Sequence, residues 1–114
     1  MDTGSERKEY IDVDDALKRV ANNMDLLKKL LGRFLGGDHI EPLEEALGKG
    51  DVEESVRLAH TLKGVAANLS LIKLRDICAD LEHHIKDGTP YDECLEELKQ
   101  AYITTAAHIN EVTG

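Results

Sequence analysis

The sequence predicts an all-α fold, an up-and-down antiparallel four-helix bundle with one or two additional short helices near the N-terminus. Three observations support this prediction. Apolar residues recur three and four positions apart along every long segment, which is the period of an amphipathic helix. No segment alternates apolar and polar residues for long enough to form a strand. The connections between the predicted helices are short, and short connections favour antiparallel packing of neighbouring helices.

The size and charge of the chain restrict its function. Its 114 residues suffice for one domain with a single modest core. The net charge of −9 disfavours a general affinity for nucleic acid or anionic membranes, because phosphate binding needs clustered Lys and Arg. No apolar run is long enough for a transmembrane helix, and the first residues lack a hydrophobic signal core. We therefore expect a cytoplasmic protein with no membrane insertion, in which Cys78 and Cys94 are reduced thiols.

The first third of the chain contains a polar start followed by two helical patterns. Residues 1–10 are polar and are expected to form a flexible segment, so the bundle is assigned to residues 11–114. Asp12 is expected to cap a short first helix. The next helix has a wide apolar face and reaches Gly36 and Gly37, where it either ends or kinks, since a glycine pair allows both.

The remaining helices are marked by capping residues. A further helical pattern ends at Gly50, and Asp51 is expected to cap the following helix, which runs to about Leu69. Ser70 is a plausible cap for the next helix. Thr89 is expected to cap the last one, with a proline in its first turn.

The helix that begins after Asp51 carries the most informative pattern of the chain. At 100° per residue, its apolar side consists of Leu58, Leu62, Val65 and Leu69. His60 points almost directly away from that side. The side of His60 also carries Val56, Arg57, Lys63, Gly64 and Ala67.

These residue types suit transfer of a phosphoryl group. Neutral imidazole is a nucleophile near neutral pH, because its unperturbed pKa is about 6.5. A histidine that attacks phosphorus needs a free ring nitrogen, room for the donor, and positive charge near the phosphoryl oxygens. Lys63 supplies that charge one turn along the helix, and Gly64 removes a side chain that would crowd the approach. A glycine inside a helix costs about 1 kcal/mol relative to alanine, which suggests a reason for its presence.

Each of these residues also has an ordinary structural interpretation. An exposed histidine on a helix is usually a solvated residue, and Lys63 alone is an ordinary surface lysine. Gly64 alone could allow a neighbouring helix to pack closely. The combination of the three at this spacing is more informative than any one of them.

The stretch Ala59-His60-Thr61-Leu62-Lys63-Gly64 closely resembles the signature of histidine-containing phosphotransfer (HPt) domains, helical bundles that pass phosphoryl groups in phosphorelays. The resemblance covers about residues 11–88 and reaches the last helix only through its period. The other segments that carry it are Ile11-Asp12, Ala16-Leu17, Leu30 to Phe34, Leu43, Leu47, the spacing from Gly50-Asp51 to the histidine, and Leu74 to Leu81.

The resemblance implies a role for each residue of the signature. His60 corresponds to the phospho-accepting histidine, Lys63 to the lysine that helps hold the phosphoryl group, and Gly64 to the glycine that opens the site. A receiver domain with an aspartyl phosphate and bound Mg²⁺ would deliver the group to a nitrogen of His60, by expectation Nε2. The chain would then need no cofactor or metal of its own. The docking residues expected around the histidine are Val56, Arg57, Ala67 and Phe34.

The expected partners are response-regulator receiver domains and a hybrid histidine kinase, with the chain itself a monomer. No glycine-rich phosphate loop follows a strand, so the chain is expected to be a phosphocarrier without an ATP site rather than an enzyme. Whether it is a separate protein or a module of a hybrid kinase stays open. One position departs from the family, since Ser70 stands where a glycine is usual, and a slightly different turn is expected there.

Two other functions are considered. A non-catalytic helical adaptor could bind partners through the same His60 face without accepting a phosphoryl group. A metal site could involve His83 and His84 with Asp80 and Asp87, but each face of that helix offers only two of these ligands. Solvated charges are therefore the favoured interpretation of those four residues.

Overall fold

Seven α-helices are present in residues 3–114, the part of the chain that the computed structural model describes. They are α1 (Thr3–Tyr10), α2 (Val13–Arg19), α3 (Met24–Gly36), α4 (Glu41–Gly48), α5 (Val52–Asn68), α6 (Ile72–Asp87) and α7 (Asp92–Thr113). No strand occurs in these residues, and the prediction of an all-α helical bundle is confirmed.

The bundle is built around α5, α6 and α7, which contact one another in chain order. Only a few residues connect these helices, so successive helices run antiparallel. Helix α4 packs against α5, and α3 packs against α7. The largest fully buried apolar side chains are Ile11, Leu27, Leu31, Leu43, Leu71, Leu74, Leu81, Leu98 and Ile109. The two short helices at the N-terminus agree with the prediction.

The start of the chain differs from the expected flexible segment over residues 1–10. Thr3–Tyr10 forms α1, which contacts both α6 and α7; residues 1–2 lie outside the described part. The ring of Tyr10 stacks on His108 of α7 with the centroids 5.3 Å apart, and the next residue, Ile11, is buried. The segment is polar overall, so its composition did not indicate that its last residues anchor it to the bundle.

Side-chain caps determine where three helices begin. The carboxylate of Asp12 accepts a hydrogen bond from the Asp15 amide at 3.1 Å, and Asp51 accepts one from the Glu54 amide at 3.1 Å. Both caps were predicted from the sequence. Asn23 caps α3 in the same way, through the Leu26 amide at 3.0 Å.

The glycine pair ends α3 rather than kinking it. Helix α3 stops at Gly36, and Gly37 adopts an extended conformation with ψ of 159°. One ring nitrogen of His39, Nε2, lies 2.9 Å from the Phe34 carbonyl oxygen and can satisfy that group at the helix end. A separate helix, α4, then begins with Pro42 in its first turn, where a missing amide hydrogen costs nothing.

The connection between α5 and α6 passes through Ser70, the position at which the resemblance implies a glycine. Ser70 does not cap α6; its φ is +57°, a left-handed conformation that glycine adopts more easily than serine. Its hydroxyl donates to Asp15 Oδ2 at 2.6 Å, and its carbonyl accepts from the Asp12 amide at 3.0 Å. The predicted cap at Thr89 is also wrong, because α7 begins after Tyr91 and has no side-chain cap.

We predict that Ser70→Ala destabilises the fold more than Ser70→Gly. Both changes remove the hydrogen bond to Asp15, but only alanine keeps a Cβ in the left-handed conformation, which costs about 1 kcal/mol. Urea unfolding of both variants at pH 7 measures the difference. A Ser70→Ala protein as stable as Ser70→Gly would show that the backbone at residue 70 is not strained.

Candidate functional site

His60 lies in the middle of α5 with its side chain 67% exposed. The face that α5 buries consists of Ser55, Ala59, Leu62 and Ala66. His60 projects from the opposite side, in line with Gly64 and Asn68, which are also exposed. We call the line formed by His60, Gly64 and Asn68 the α5 ridge. The side chain of His60 thus points outward, as predicted from the sequence.

One side of the α5 ridge faces α6 and contains a carboxylate that sequence reasoning missed. Glu82 Oε1 lies 3.3 Å from His60 Nδ1 and 2.9 Å from Lys63 Nζ. Its other oxygen, Oε2, lies 2.8 Å from Lys86 Nζ. The side chain of Glu82 is only 8% exposed. We call these four residues the Glu82 cluster.

Two features of the α6 sequence could have identified this carboxylate. Glu82 lies four residues after Cys78, which is fully buried, and therefore continues a buried stripe of α6. It also lies four residues before Lys86, at the spacing of a helical ion pair. A carboxylate on a buried stripe needs a partner, although nothing in the sequence says that the partners on α5 are His60 and Lys63.

The Glu82 carboxylate is ionised over the whole physiological range. The ammonium of Lys86, followed by the hydrogen bonds from Lys63 and His60, lowers the pKa of Glu82 from 4.5 to about 2. Burial opposes this shift but is outweighed. The cluster thus combines one anion and two cations with the imidazole.

The position of Glu82 determines which nitrogen of the neutral His60 ring carries the proton. An ionised carboxylate can only accept hydrogen bonds, so the contact with His60 Nδ1 requires a proton on that nitrogen. The neutral ring then has its lone pair on Nε2. Since the ring is largely exposed, that lone pair is accessible to an incoming group.

Gly64 has no internal packing role. Apart from its chain neighbours and the backbone of its own helix, a Cβ built at this position would meet no atom within 4 Å in the described part of the chain. The alternative that Gly64 allows a neighbouring helix to approach closely is therefore wrong. The space beside His60 is therefore accessible to a molecule that approaches from outside.

The predicted docking residues differ in accessibility. Val56 and Ala67 are half-buried at the sides of α5, and Arg57 is exposed with its guanidinium paired to Glu54. Phe34 is only 4% exposed and stacks on His39 with the ring centroids 4.5 Å apart. Phe34 is thus mainly a core residue. That these four residues contact a partner stays a prediction.

The other side of the α5 ridge borders a groove of about 700 Å³ between α2, α3 and α5, which we call the α3 groove. Its apolar lining consists of Val20, Leu30, Phe34, Val65 and Leu69. The polar residues around it are Arg19, Arg33, His39 and Asn68. Because Asn68 belongs to the α5 ridge, the groove is continuous with the surface that contains His60.

The two histidines of α6, His83 and His84, belong to no cluster of potential metal ligands among the described residues. His84 Nδ1 lies 2.8 Å from the hydroxyl of Thr89. In residues 3–114, no three His, Cys, Asp or Glu side chains are grouped so that they could hold a metal ion. In the same residues, none of the helices has both the length and the apolar character that a membrane crossing requires.

Comparison with known proteins identifies one family. The family model described as Hpt domain matches residues 29–108, which is more than half of the chain and includes α5, α6 and most of α7. Searches of curated proteins and of solved structures returned no match.

We predict that Glu82→Gln lowers the free energy of unfolding at pH 7 by about 2 kcal/mol, the usual contribution of hydrogen bonds to a charged group. Because folding lowers the pKa of Glu82, its stabilising contribution is complete above the unfolded pKa of 4.5 and disappears as the pH falls towards 2. The difference between the wild-type protein and the variant should therefore shrink over this interval. Urea unfolding at pH 7, 4.5 and 3 measures it.

A matched control for this prediction is Glu96→Gln, which changes an exposed glutamate of α7. Its effect should stay within about 0.5 kcal/mol at each pH. A loss for Glu82→Gln that is the same at pH 7 and pH 3 would contradict the assigned ionisation.

Proposed function

The chain belongs to the Hpt domain family, and we propose that it is a phosphorelay intermediate that accepts a phosphoryl group on His60. Histidine phosphotransfer in two-component signalling is the activity of this family, whose members are phosphocarriers without kinase activity. The proposal is supported above all by the exposed His60 ring, whose Nδ1 lies beside an ionised carboxylate.

The chemical step is an in-line displacement at phosphorus. His60 Nε2 forms the new P–N bond while the P–O bond to an aspartyl group of a receiver domain breaks, and the aspartate leaves as a carboxylate. His60 keeps its Nδ1 proton, so the phosphorylated ring carries a positive charge. The Glu82 carboxylate, 3.3 Å away, stabilises that charge.

The two lysines of the Glu82 cluster have different roles in this proposal. Lys63 and His60 share the same oxygen of Glu82, whereas Lys86 binds the other oxygen. Lys63 lies one turn from His60 and can turn its ammonium towards a phosphoryl oxygen on Nε2. Lys86 stays on Glu82 and keeps it ionised while Lys63 moves.

The proposed partners are those that membership of the Hpt domain family implies. A receiver domain supplies the aspartyl phosphate, and a second receiver collects the phosphoryl group in the reverse step. We assign Mg²⁺ to the receiver, because the carboxylate that contacts His60 in the described residues already accepts hydrogen bonds from two ammonium groups. A hybrid histidine kinase is the proposed source of the phosphoryl group, and the chain acts as a cytoplasmic monomer.

We predict that His60→Gln abolishes phosphorylation of the chain by phosphorylated receiver domains. The label on the wild-type protein should be acid-labile and base-stable, as expected for a phosphorus–nitrogen bond on histidine. The measurement is radiolabel on the chain after incubation with receivers from the same organism. The matched control is His83→Gln, which changes an exposed histidine of α6 and should leave the label unchanged.

The same experiment decides between a phosphocarrier and an adaptor. An adaptor would bind receivers through the His60 face but acquire no label. Label that persists on the His60→Gln protein would place the acceptor elsewhere and overturn the proposal.

We predict opposite effects of Gly64→Leu on stability and on phosphotransfer. Leucine favours a helix over glycine by about 1 kcal/mol, and nothing in the described fold blocks a side chain there. The variant should therefore be more stable, yet accept phosphoryl groups at least about tenfold more slowly, because the side chain displaces the donor. Urea unfolding and the initial rate of labelling measure the two effects.

Gly32→Leu is the matched control for this change. Gly32 is an exposed glycine within α3, and a Cβ there would also meet no atom of the described residues within 4 Å apart from its chain neighbours and its own helix backbone. Its substitution should raise stability similarly without slowing transfer. Equal rates for the Gly64 and Gly32 variants would remove Gly64 from the site.

A further inference from the structure

The α3 groove has a defined position relative to His60. Asn68, at its edge, lies eight residues after His60 on the α5 ridge, which corresponds to about 12 Å along the helix axis. A protein partner of standard size covers about 800 Å² of each surface, a patch of about 16 Å radius. A receiver centred on His60 therefore extends over the groove.

The two sides of the α5 ridge differ in how their cationic side chains are paired with carboxylates. On the α6 side, Lys63 and Lys86 both bind the Glu82 carboxylate. On the groove side, Arg19 pairs with Asp15 at 3.1 Å, and Arg33 has no ion pair with the described residues. Arg33 is exposed in a chain that carries nine excess negative charges. Its guanidinium therefore remains available for a carboxylate from outside.

The groove also offers apolar surface beside this arginine. Leu30 and Val65 are half-buried, and both line the groove. A segment that fits must therefore present apolar side chains to the floor and a carboxylate to the rim. A guanidinium binds carboxylates in a planar two-bond geometry, which selects both the group and its orientation.

From these observations we infer that the α3 groove is the specificity surface of the chain, and that Arg33 selects receivers which present a carboxylate next to an apolar segment. This inference rests on the proposed phosphotransfer at His60, since the receiver is the occupant to which it commits. Arg33 contacts the partner without touching the reacting atoms. Its loss should weaken binding and leave the chemical step unchanged.

The test is the rate of phosphotransfer as a function of receiver concentration, for the receiver that labels the wild-type chain fastest. Arg33→Glu should raise the half-saturating receiver concentration about tenfold, while the maximal rate stays within about twofold. The effect should diminish in high salt, because the interaction is between exposed charges. Lys28→Glu is the matched control, since it makes the same charge change on α3 at an exposed residue that does not line the groove.

A second measurement detects binding of the receiver at the α3 groove independently of phosphotransfer. Amide signals of an isotope-labelled His60→Gln chain should shift at Val20, Leu30 and Asn68 when the unphosphorylated receiver is added, and Arg33→Glu in the same chain should weaken this binding. Signals that shift with the concentration of the chain alone would instead indicate a second copy as the occupant and overturn the inference.

The outcomes separate the two proposals. If Arg33→Glu and Lys28→Glu behave alike while His60→Gln still abolishes the label, the specificity role of the groove is wrong and phosphotransfer at His60 stands. If the wild-type chain acquires no label from any receiver, the proposed function fails, and the inference that rests on it fails as well.

Discussion

The arrangement around His60 depends on the buried carboxylate of Glu82. A carboxylate that loses its water must regain favourable contacts, and here they come from Lys86 on its own helix and from His60 and Lys63 on α5. Lys86 is always within reach because it lies four residues away. The other two contacts exist only in one register of α5 against α6. The group that orients the imidazole thus also links the two helices that carry the site.

The turn between the two helices contributes to that register. Ser70 adopts the left-handed conformation that reverses the chain between α5 and α6. Asp15 Oδ2 accepts the hydroxyl of Ser70 at 2.6 Å and pairs with Arg19 at 3.1 Å. One carboxylate of α2 therefore connects the turn that aligns the Glu82 cluster with an arginine at the edge of the α3 groove. Ser70, where the resemblance implies a glycine, is part of this connection.

The features that could be predicted from the sequence depend on interactions between residues close together in the chain. Helical period placed His60 opposite the buried face, and the caps at Asp12 and Asp51 follow from interactions three residues apart. Glu82 could not be matched to its α5 partners, because 22 residues separate it from His60 and the pairing depends on how two helices pack. The anchoring of α1 by Tyr10, which stacks on a residue near the other end of the chain, is non-local for the same reason.

The net charge of the chain is a poor guide to how the surface around the α5 ridge would bind an acidic partner. The chain carries −9 overall, which would repel a receiver rich in carboxylates. Salt screens charges beyond about 8 Å at physiological ionic strength, so at contact a partner responds mainly to the nearest side chains. Around the α5 ridge these include Lys63, Lys86 and Arg33. The lysines are neutralised in part by Glu82, whereas Arg33 has no ion pair with the described residues. In the proposed roles, the chemistry and the recognition of the partner therefore lie on opposite sides of α5.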